Sequence, residues 1–378
     1  MILEEIIAFA LLLIGSFVVT YIIMPRIIGV VTYKRLMSDP NERSSHSEKV
    51  PSLGGIAFFI VVTLGLYFIQ SWDKYDISMS ILPGLLILFV IGLKDDLVVL
   101  SPRTKIIAQL MAVSFLLYHP SFQIHHLHNF FGIEEVSLFV TVPLAAFVAL
   151  FIINAFNLID GIDGLAAMIG IVIFGVYAFL FFMLDLHYFM AICLVVMGTL
   201  AAFLRFNLSS SKKIFMGDTG SLIIGFLIAA ATIRLFGVDP MVLKKMPFQL
   251  ENLPIIVVAV LIIPVFDTAR VFTVRLLNRK TPFSADRNHI HHLLIDYLHL
   301  SHKEASIFLS IVNILFFLIF LILGVNLDNV ILFLALLVLI GVFVYFFFHI
   351  NFSYKNLRKR VGIRKKMKVI RKNTNFFS

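Results

Sequence analysis

The sequence predicts an all-α polytopic membrane protein of about eleven transmembrane helices, with the N-terminus outside and the C-terminus cytoplasmic. Three observations carry that expectation. Sixty per cent of the 378 residues are apolar, forty are Phe and only 14 % are charged, a mixture that leaves too little polar surface to enclose a water-soluble core of this size. Apolar runs long enough to cross a bilayer recur between short polar breaks. Lys and Arg fall almost wholly on alternate loops.

The runs are placed near 2–24, 53–70, 79–93, 105–119, 139–158, 166–184, 188–206, 220–237, 254–277, 304–325 and 329–349. The first opens with Glu4 and Glu5 and has no small-residue cleavage pattern before Arg26, so it reads as a retained span and not a signal peptide. One side of the membrane collects Arg26, Lys34, Arg43, Lys49, Lys94, Arg103, Lys105, Lys212, Lys213, Arg279, Lys280, Arg287 and the tail Lys355 to Lys372. The other side holds only Lys74, Arg234, Lys244 and Lys245. The positive-inside bias makes the first side cytoplasmic, so the net charge of +9 is a topology signal and not a nucleic-acid footprint. A single transmembrane catalytic domain over 1–349 and a basic cytoplasmic tail over 350–378 are expected. The lone cysteine, Cys193, lies in an apolar run and excludes an intrachain disulfide.

Chemistry-bearing residues collect in strings at the cytoplasmic helix ends. The first is Lys94-Asp95-Asp96, followed by Ser101 to Lys105; adjacent carboxylates in a cleft call for a metal, a base or a raised pKa, whereas in water they are simply solvated. In the second, Asn154, Asn157 and Asp160 recur every third residue and share one helix face. Gly161, Asp163 and Gly164 follow, and the glycines let the backbone approach a ligand. In the third, Phe215-Met216-Gly217-Asp218-Thr219-Gly220-Ser221, glycines flank an Asp at a helix start, a setting for an anion beside a cation-holding carboxylate or for a plain N-cap. The fourth runs from Asp267 and Arg270 to Arg287, His289, His291 and His292. Arg and His there suit phosphate oxygens; three His without a nearby Cys make a zinc site the weaker alternative.

Five carboxylates, Asp95, Asp96, Asp160, Asp163 and Asp218, are thus expected on one face beside groups suited to anions. Carboxylates and phosphates coexist when a hard cation sits between them, so a divalent ion, Mg²⁺ or else Mn²⁺, is expected in a site for phosphoryl transfer. A secondary transporter would carry its coupling residues near the bilayer midplane; here the strings sit at helix ends.

Gly54-Gly55, Asp95-Asp96, Asn154 to Leu165, Phe215 to Leu222 and Pro282 to His292 together resemble the polyprenyl-phosphate N-acetylhexosamine-1-phosphate transferases, over most of the chain up to about Phe348. Asp39-Pro40-Asn41, Arg43, His46 and Pro51 in the first cytoplasmic loop also look like that family. The His-Ile-His-His form resembles the branch that uses UDP-N-acetylglucosamine and undecaprenyl phosphate. The phospho-N-acetylmuramoyl-pentapeptide branch usually has a histidine triplet and a Lys shortly after the paired Asp; here Val98 and Val99 stand in that stretch, and Lys105 is the nearest cation.

The resemblance implies a bacterial plasma-membrane enzyme with a cytoplasmic active site, acting on a UDP-N-acetylhexosamine and undecaprenyl phosphate, with a homodimer as a candidate assembly and no nucleic-acid partner. It implies Asp218 as the Mg²⁺ ligand, and Asp95 and Asp96 as the catalytic pair that orients or deprotonates the carrier phosphate. It further implies Asn154, Asn157, Asp160, Asp163 and Phe215 at the nucleotide, and Lys105, Arg287, His289, His291 and His292 at phosphates or the amino sugar.

Overall fold

A computed structural model describes residues 2–34, 36–38, 50–277, 279, 289–347 and 349. The helices are α1 (Ile2–Tyr33), α2 (Gly55–Phe68), α3 (Ser78–Leu97), α4 (Pro102–Tyr118), α5 (Leu138–Ile159), α6 (Leu165–Met183) and α7 (His187–Asn207). They continue as α8 (Gly217–Phe236), the short α9 (Pro240–Leu243), α10 (Leu253–Val260), α11 (Ile262–Leu277), α12 (Ile290–Leu298) and α13 (His302–Asn326), then α14 (Asn329–Phe347). Among the described residues, strands are confined to two small antiparallel pairs, β1 (Met37–Ser38) with β2 (Val50–Pro51) and β3 (His126–Phe130) with β4 (Ile133–Glu135). The chain is a multi-pass, all-α membrane protein.

Among the described residues, eight helices are long and apolar enough to span a bilayer, or nine if a bent pair counts as one span. The expected eleven is therefore too high by that standard. Two of the expected spans are short: α2 has 14 residues, and α4 has 17 and begins with Arg103 and Lys105. The run expected as one span near 254–277 is broken, with Leu250–Val260 and Ile262–Leu277 meeting at 72°. Pro264 explains the break, because it has no N–H for the carbonyl of Val260 four residues earlier and its ring crowds that carbonyl. The fully buried Asn313 of α13 takes over the freed groups: its Nδ2 donates to Val260 O (2.9 Å) and its Oδ1 accepts from Ile263 N–H (3.3 Å).

The bundle is built around α8, of which 89 % of the apolar window is buried. Its sequence is rich in small residues, Gly220, Gly225 and Ala229 to Ala231, and small residues let backbones approach where lipid supplies no hydrophobic drive between helices. A Cβ on Gly225 would sit 2.9 Å from Ile153 Cα, and one on Gly92 would sit 2.5 Å from Thr219 Cα. A Cβ on Gly55 would overlap the backbone of Gly220. These contacts bring the first residue of α2 and the C-terminal turn of α3 against the first turn of α8.

Candidate active site

The N-terminus of α8 is locked by backbone pairing before any side chain takes part. Phe215 N–H donates to Pro51 O (2.7 Å), Gly54 N–H to Phe215 O (3.1 Å) and Gly55 N–H to Met216 O (3.0 Å). Gly217 then turns the chain with φ +71°, and a Cβ there would collide with Ser52 O and stand 2.6 Å from Asp96 Oδ2. Left-handed backbone plus that overlap makes Gly217→Ala costly, by about 2–4 kcal/mol. The expected result is a lowered unfolding midpoint in detergent together with lost activity.

Asp95 and Asp96 are adjacent yet do different things. Asp96 Oδ1 accepts from Asp218 N–H (2.7 Å), and its Oδ2 accepts from Thr219 N–H (3.0 Å) and Thr219 Oγ1 (2.6 Å). It therefore caps α8 from a different helix, satisfying N–H groups that α8 cannot satisfy itself and placing negative charge at the positive end of its dipole. Asp95, buried, accepts from Leu100 N–H (2.6 Å) and lies 2.5 Å from Lys105 Nζ.

Lys105 joins two strings. Its Nζ also donates to Asp218 Oδ2 (2.8 Å), so one ammonium sits between Asp95 and Asp218. Asn157 Nδ2 donates to the other oxygen of Asp218 (2.5 Å) and to Ser221 Oγ (2.8 Å). Asp218 keeps about a quarter of its side chain exposed, so it faces the space in which a ligand would sit. Asn154, one turn before Asn157, is turned to α4: its Nδ2 donates to Gln109 Oε1 (2.8 Å) and to Leu150 O (2.7 Å). It joins α4 to α5 at the edge of the cluster.

Asp160 follows the C-terminus of α5. It keeps part of its surface open, but desolvation by the surrounding protein, and then the charges of Asp218, Asp96 and Asp163, push its carboxyl up to about 8. Its folded value lies above the ordinary carboxylate range. The stability it contributes is therefore complete below about pH 4 and lost as pH rises through about 8. In chelator, Asp160→Asn, which mimics the neutral form, should flatten the fall in unfolding midpoint between about pH 4 and pH 8. Thermal scans of both proteins across that range check it; parallel curves would assign the slope to another group.

Asp163 is held away from that centre. Its Oδ2 contacts Lys213 Nζ (2.6 Å) and His302 Nδ1 (3.0 Å), and its carbonyl accepts from Ser306 Oγ (2.9 Å). The turn that carries it is fixed by Gly164 (φ +83°), whose N–H donates to Asn207 Oδ1 (2.6 Å) while Asn207 Nδ2 donates to Ile214 O (2.9 Å). Lys213 also lies 5.6 Å from the centre of the half-buried Phe215 ring.

The histidines reach the site from behind. His289, His291 and His292 are all buried, and His289 Nδ1 lies 2.9 Å from Asp267 Oδ2. His291 packs on Gly161, where a Cβ would collide with its Nε2. Burial, followed by the neighbouring His292, holds the His291 ring well below the usual histidine range, so it is neutral. Arg287, and the first-loop residues Asp39, Pro40, Asn41, Arg43 and His46, lie outside the described residues.

The structure thus brings together Asp95, Asp96, Lys105, Asn157, Asp160 and Asp218, with Asp163, Phe215 and the histidines around them. Sequence reasoning gave no site role to Gln109, Asn207, Lys213 or His302. Thr219 and Ser221 stand within the string around Asp218, and the structure gives them partners in Asp96 and Asn157; the others carry no local signal.

Among the described residues, no three His, Cys, Asp or Glu side chains group to cage an ion unaided. The donors present are carboxylate oxygens around the half-open Asp218, a chemistry that fits a hard cation taking one or two carboxylates and completing its shell from phosphate and water. The ammonium of Lys105 lies on those same oxygens, as a cation would.

Comparison with known proteins agrees with the geometry. The model of glycosyl transferase family 4 matches residues 78–236, the stretch from α3 to α8 that holds Asp95 through Asp218. A probable undecaprenyl-phosphate N-acetylglucosaminyl 1-phosphate transferase of Bacillus subtilis is 29 % identical over 83 % of this chain and 84 % of its own length. A decaprenyl-phosphate N-acetylglucosaminephosphotransferase of Mycolicibacterium smegmatis is 29 % identical, over 73 % and 71 %. A phospho-N-acetylmuramoyl-pentapeptide-transferase of Enterococcus faecalis is 34 % identical over 58 % of this chain and 73 % of its own. With carboxylates, amides and one lysine gathered at the mouth of a membrane bundle, and with relatives matched over most of their length, the chain belongs to glycosyl transferase family 4.

Proposed function

We propose that this protein transfers N-acetylglucosamine 1-phosphate, or a close N-acetylhexosamine relative, from its UDP-sugar to undecaprenyl phosphate, releasing UMP. The observation that carries the reading is the ammonium of Lys105 held between Asp95 and Asp218 at the start of α8. Two anionic reactants require such a mixed-charge cluster at a helix end, where a lipid-borne phosphate and a soluble nucleotide can both arrive. The distribution of Lys and Arg supports placing that end on the cytoplasmic side of the bacterial plasma membrane.

In this reaction an oxygen of the carrier phosphate attacks the β-phosphorus of the UDP-sugar. The bond from the β-phosphorus to the bridging oxygen breaks, and UMP leaves with that oxygen. Asp218 and its neighbouring carboxylates would hold Mg²⁺, which when bound neutralises charge on the pyrophosphate. Lys105 supplies a second positive charge that can swing from the carboxylates to a phosphate oxygen. Asn157 holds Asp218 in a single rotamer, and Asp96 fixes the first turn of α8 on which Asp218 rides. Asp95 lies beside Lys105, placed to orient the carrier phosphate or take its last proton. Orientation and preorganised charge supply most of the acceleration for a reaction of this kind.

The phospho-N-acetylmuramoyl-pentapeptide reaction is the second reading, supported by relatives such as that of E. faecalis. Two observations favour the first. The N-acetylglucosaminyl relative aligns over more of both chains, and Val98 and Val99 are exposed apolar residues where the second branch usually carries its Lys. The test is to incubate purified protein and undecaprenyl phosphate with UDP-N-acetylglucosamine, UDP-N-acetylgalactosamine or UDP-N-acetylmuramoyl-pentapeptide, with and without chelator. UMP and a lipid-linked product from an N-acetylhexosamine donor, lost in chelator, are expected. Turnover of the pentapeptide donor alone would overturn the assignment, and UDP-sugar flux into liposomes without UMP would favour a transporter.

A further inference from the structure

Asp267 lies inside α11, is 2 % exposed, and has no part in the reaction described above. Its two oxygens do separate work. Oδ1 accepts from Ile290 N–H (2.9 Å) and from Arg270 (3.2 Å), which ties the start of α12 to α11. Oδ2 is given to the ring of His289, whose Nδ1 is 2.9 Å away. An anchor for α12 needs only the first of these, and a neutral Asn would provide it without burying a charge. The second bond has a different consequence. A carboxylate accepts and cannot donate, so of the two neutral tautomers of His289 it selects the one with its proton on Nδ1 and the lone pair on Nε2.

His289 passes this orientation forward. Its ring stacks on His291 at 5.6 Å between centroids and 11° between planes, and His291 rests on Gly161, the residue after Asp160. We infer that Asp267 is a positioning residue for the transfer reaction: it fixes the tautomer and orientation of His289, and through the His289–His291 stack it seats the Asp160–Gly161 turn at the reacting phosphates. This rests on the transferase reading for its kinetic arm but not for its spectroscopic one.

Asp267→Asn is the informative variant. Its carbonyl can still accept from Ile290 N–H and Arg270, so the fold is kept, but its amide then points N–H groups at His289 Nδ1 and favours the opposite tautomer. In detergent-solubilised protein with ¹⁵N-labelled histidine, the signal that disappears in His289→Gln identifies His289. The parent should show it protonated on Nδ1, and Asp267→Asn should move the proton to Nε2. In the UMP-release assay, Asp267→Asn should lose about a hundredfold in kcat with KM for the UDP-sugar changed less than about threefold, as a loss confined to the transition state requires. Added to His289→Gln it should cost little more, since the two act in series. Asp267→Glu should recover part of the rate.

An unchanged His289 signal in Asp267→Asn would overturn the inference, as would kcat within about threefold of the parent. Parent protein that releases no UMP would instead sink the transferase reading, and the histidine signal would still decide whether Asp267 orients His289.

Discussion

Asp218→Ala is expected to abolish UMP release, by about 10³-fold or more, while leaving a folded protein. Asp218 N–H, not its side chain, bonds Asp96, so the cap on α8 survives truncation. The side chain itself joins Lys105 and Asn157, and it is the half-open carboxylate best placed to hold a hard cation. Asp218→Asn sharpens the test, because it keeps the size and one acceptor for Asn157 while removing the charge. Both variants should unfold near the parent in chelator and should fail to gain the parent's stabilisation by Mg²⁺. Unfolding midpoints with and without Mg²⁺, measured beside UMP release, separate a lost ligand from a damaged fold. An Asp218→Asn enzyme that kept more than about a tenth of the parent rate would move the metal away from Asp218.

The fold class was legible because a bilayer imposes one rule on every span, a run of apolar residues long enough to cross. The rule counts composition, so it missed what composition does not record. The apolar run around Leu261 reads as continuous, and only the geometry of Pro264 opposite Val260, with Asn313 arriving from α13, shows where it breaks. The site was legible in its members for a similar reason: carboxylates, amides and histidines in an apolar chain are costly unless they have work to do.

Their division of labour was less visible. Asp95 and Asp96 read as an equivalent pair, yet neighbours on a helix point about 100° apart, so one faces Lys105 and the other faces α8. Asn154 and Asn157 read as one nucleotide-facing row, but they lie on successive turns and meet different helices, Gln109 of α4 and Asp218 of α8. The histidines read as phosphate or sugar contacts; that all three are buried, with His291 against Gly161, is visible only in the fold. Partners such as Asp163 and His302, 139 positions apart, leave no periodic trace in sequence.

Lys105→Met should move two measurements in opposite directions. Its ammonium stands 2.5 Å from Asp95 and 2.8 Å from Asp218, so it offsets half of their combined charge and competes for the oxygens that a divalent cation would use. With the charge removed, Asp95 and Asp218 repel one another across a half-buried site, and a cation relieves that repulsion. Two unit charges about 4 Å apart at a protein surface interact by about 4 kcal/mol before screening. Even a third of that would tighten Mg²⁺ binding about tenfold. Turnover should nevertheless fall by about a hundredfold, since the positive charge available to a phosphate oxygen is gone. Mg²⁺ titration of thermal stability reads the first effect and UMP release at saturating Mg²⁺ reads the second. A purely structural lysine would weaken both together; a lysine that serves first as stand-in for the cation and then as phosphate ligand separates them.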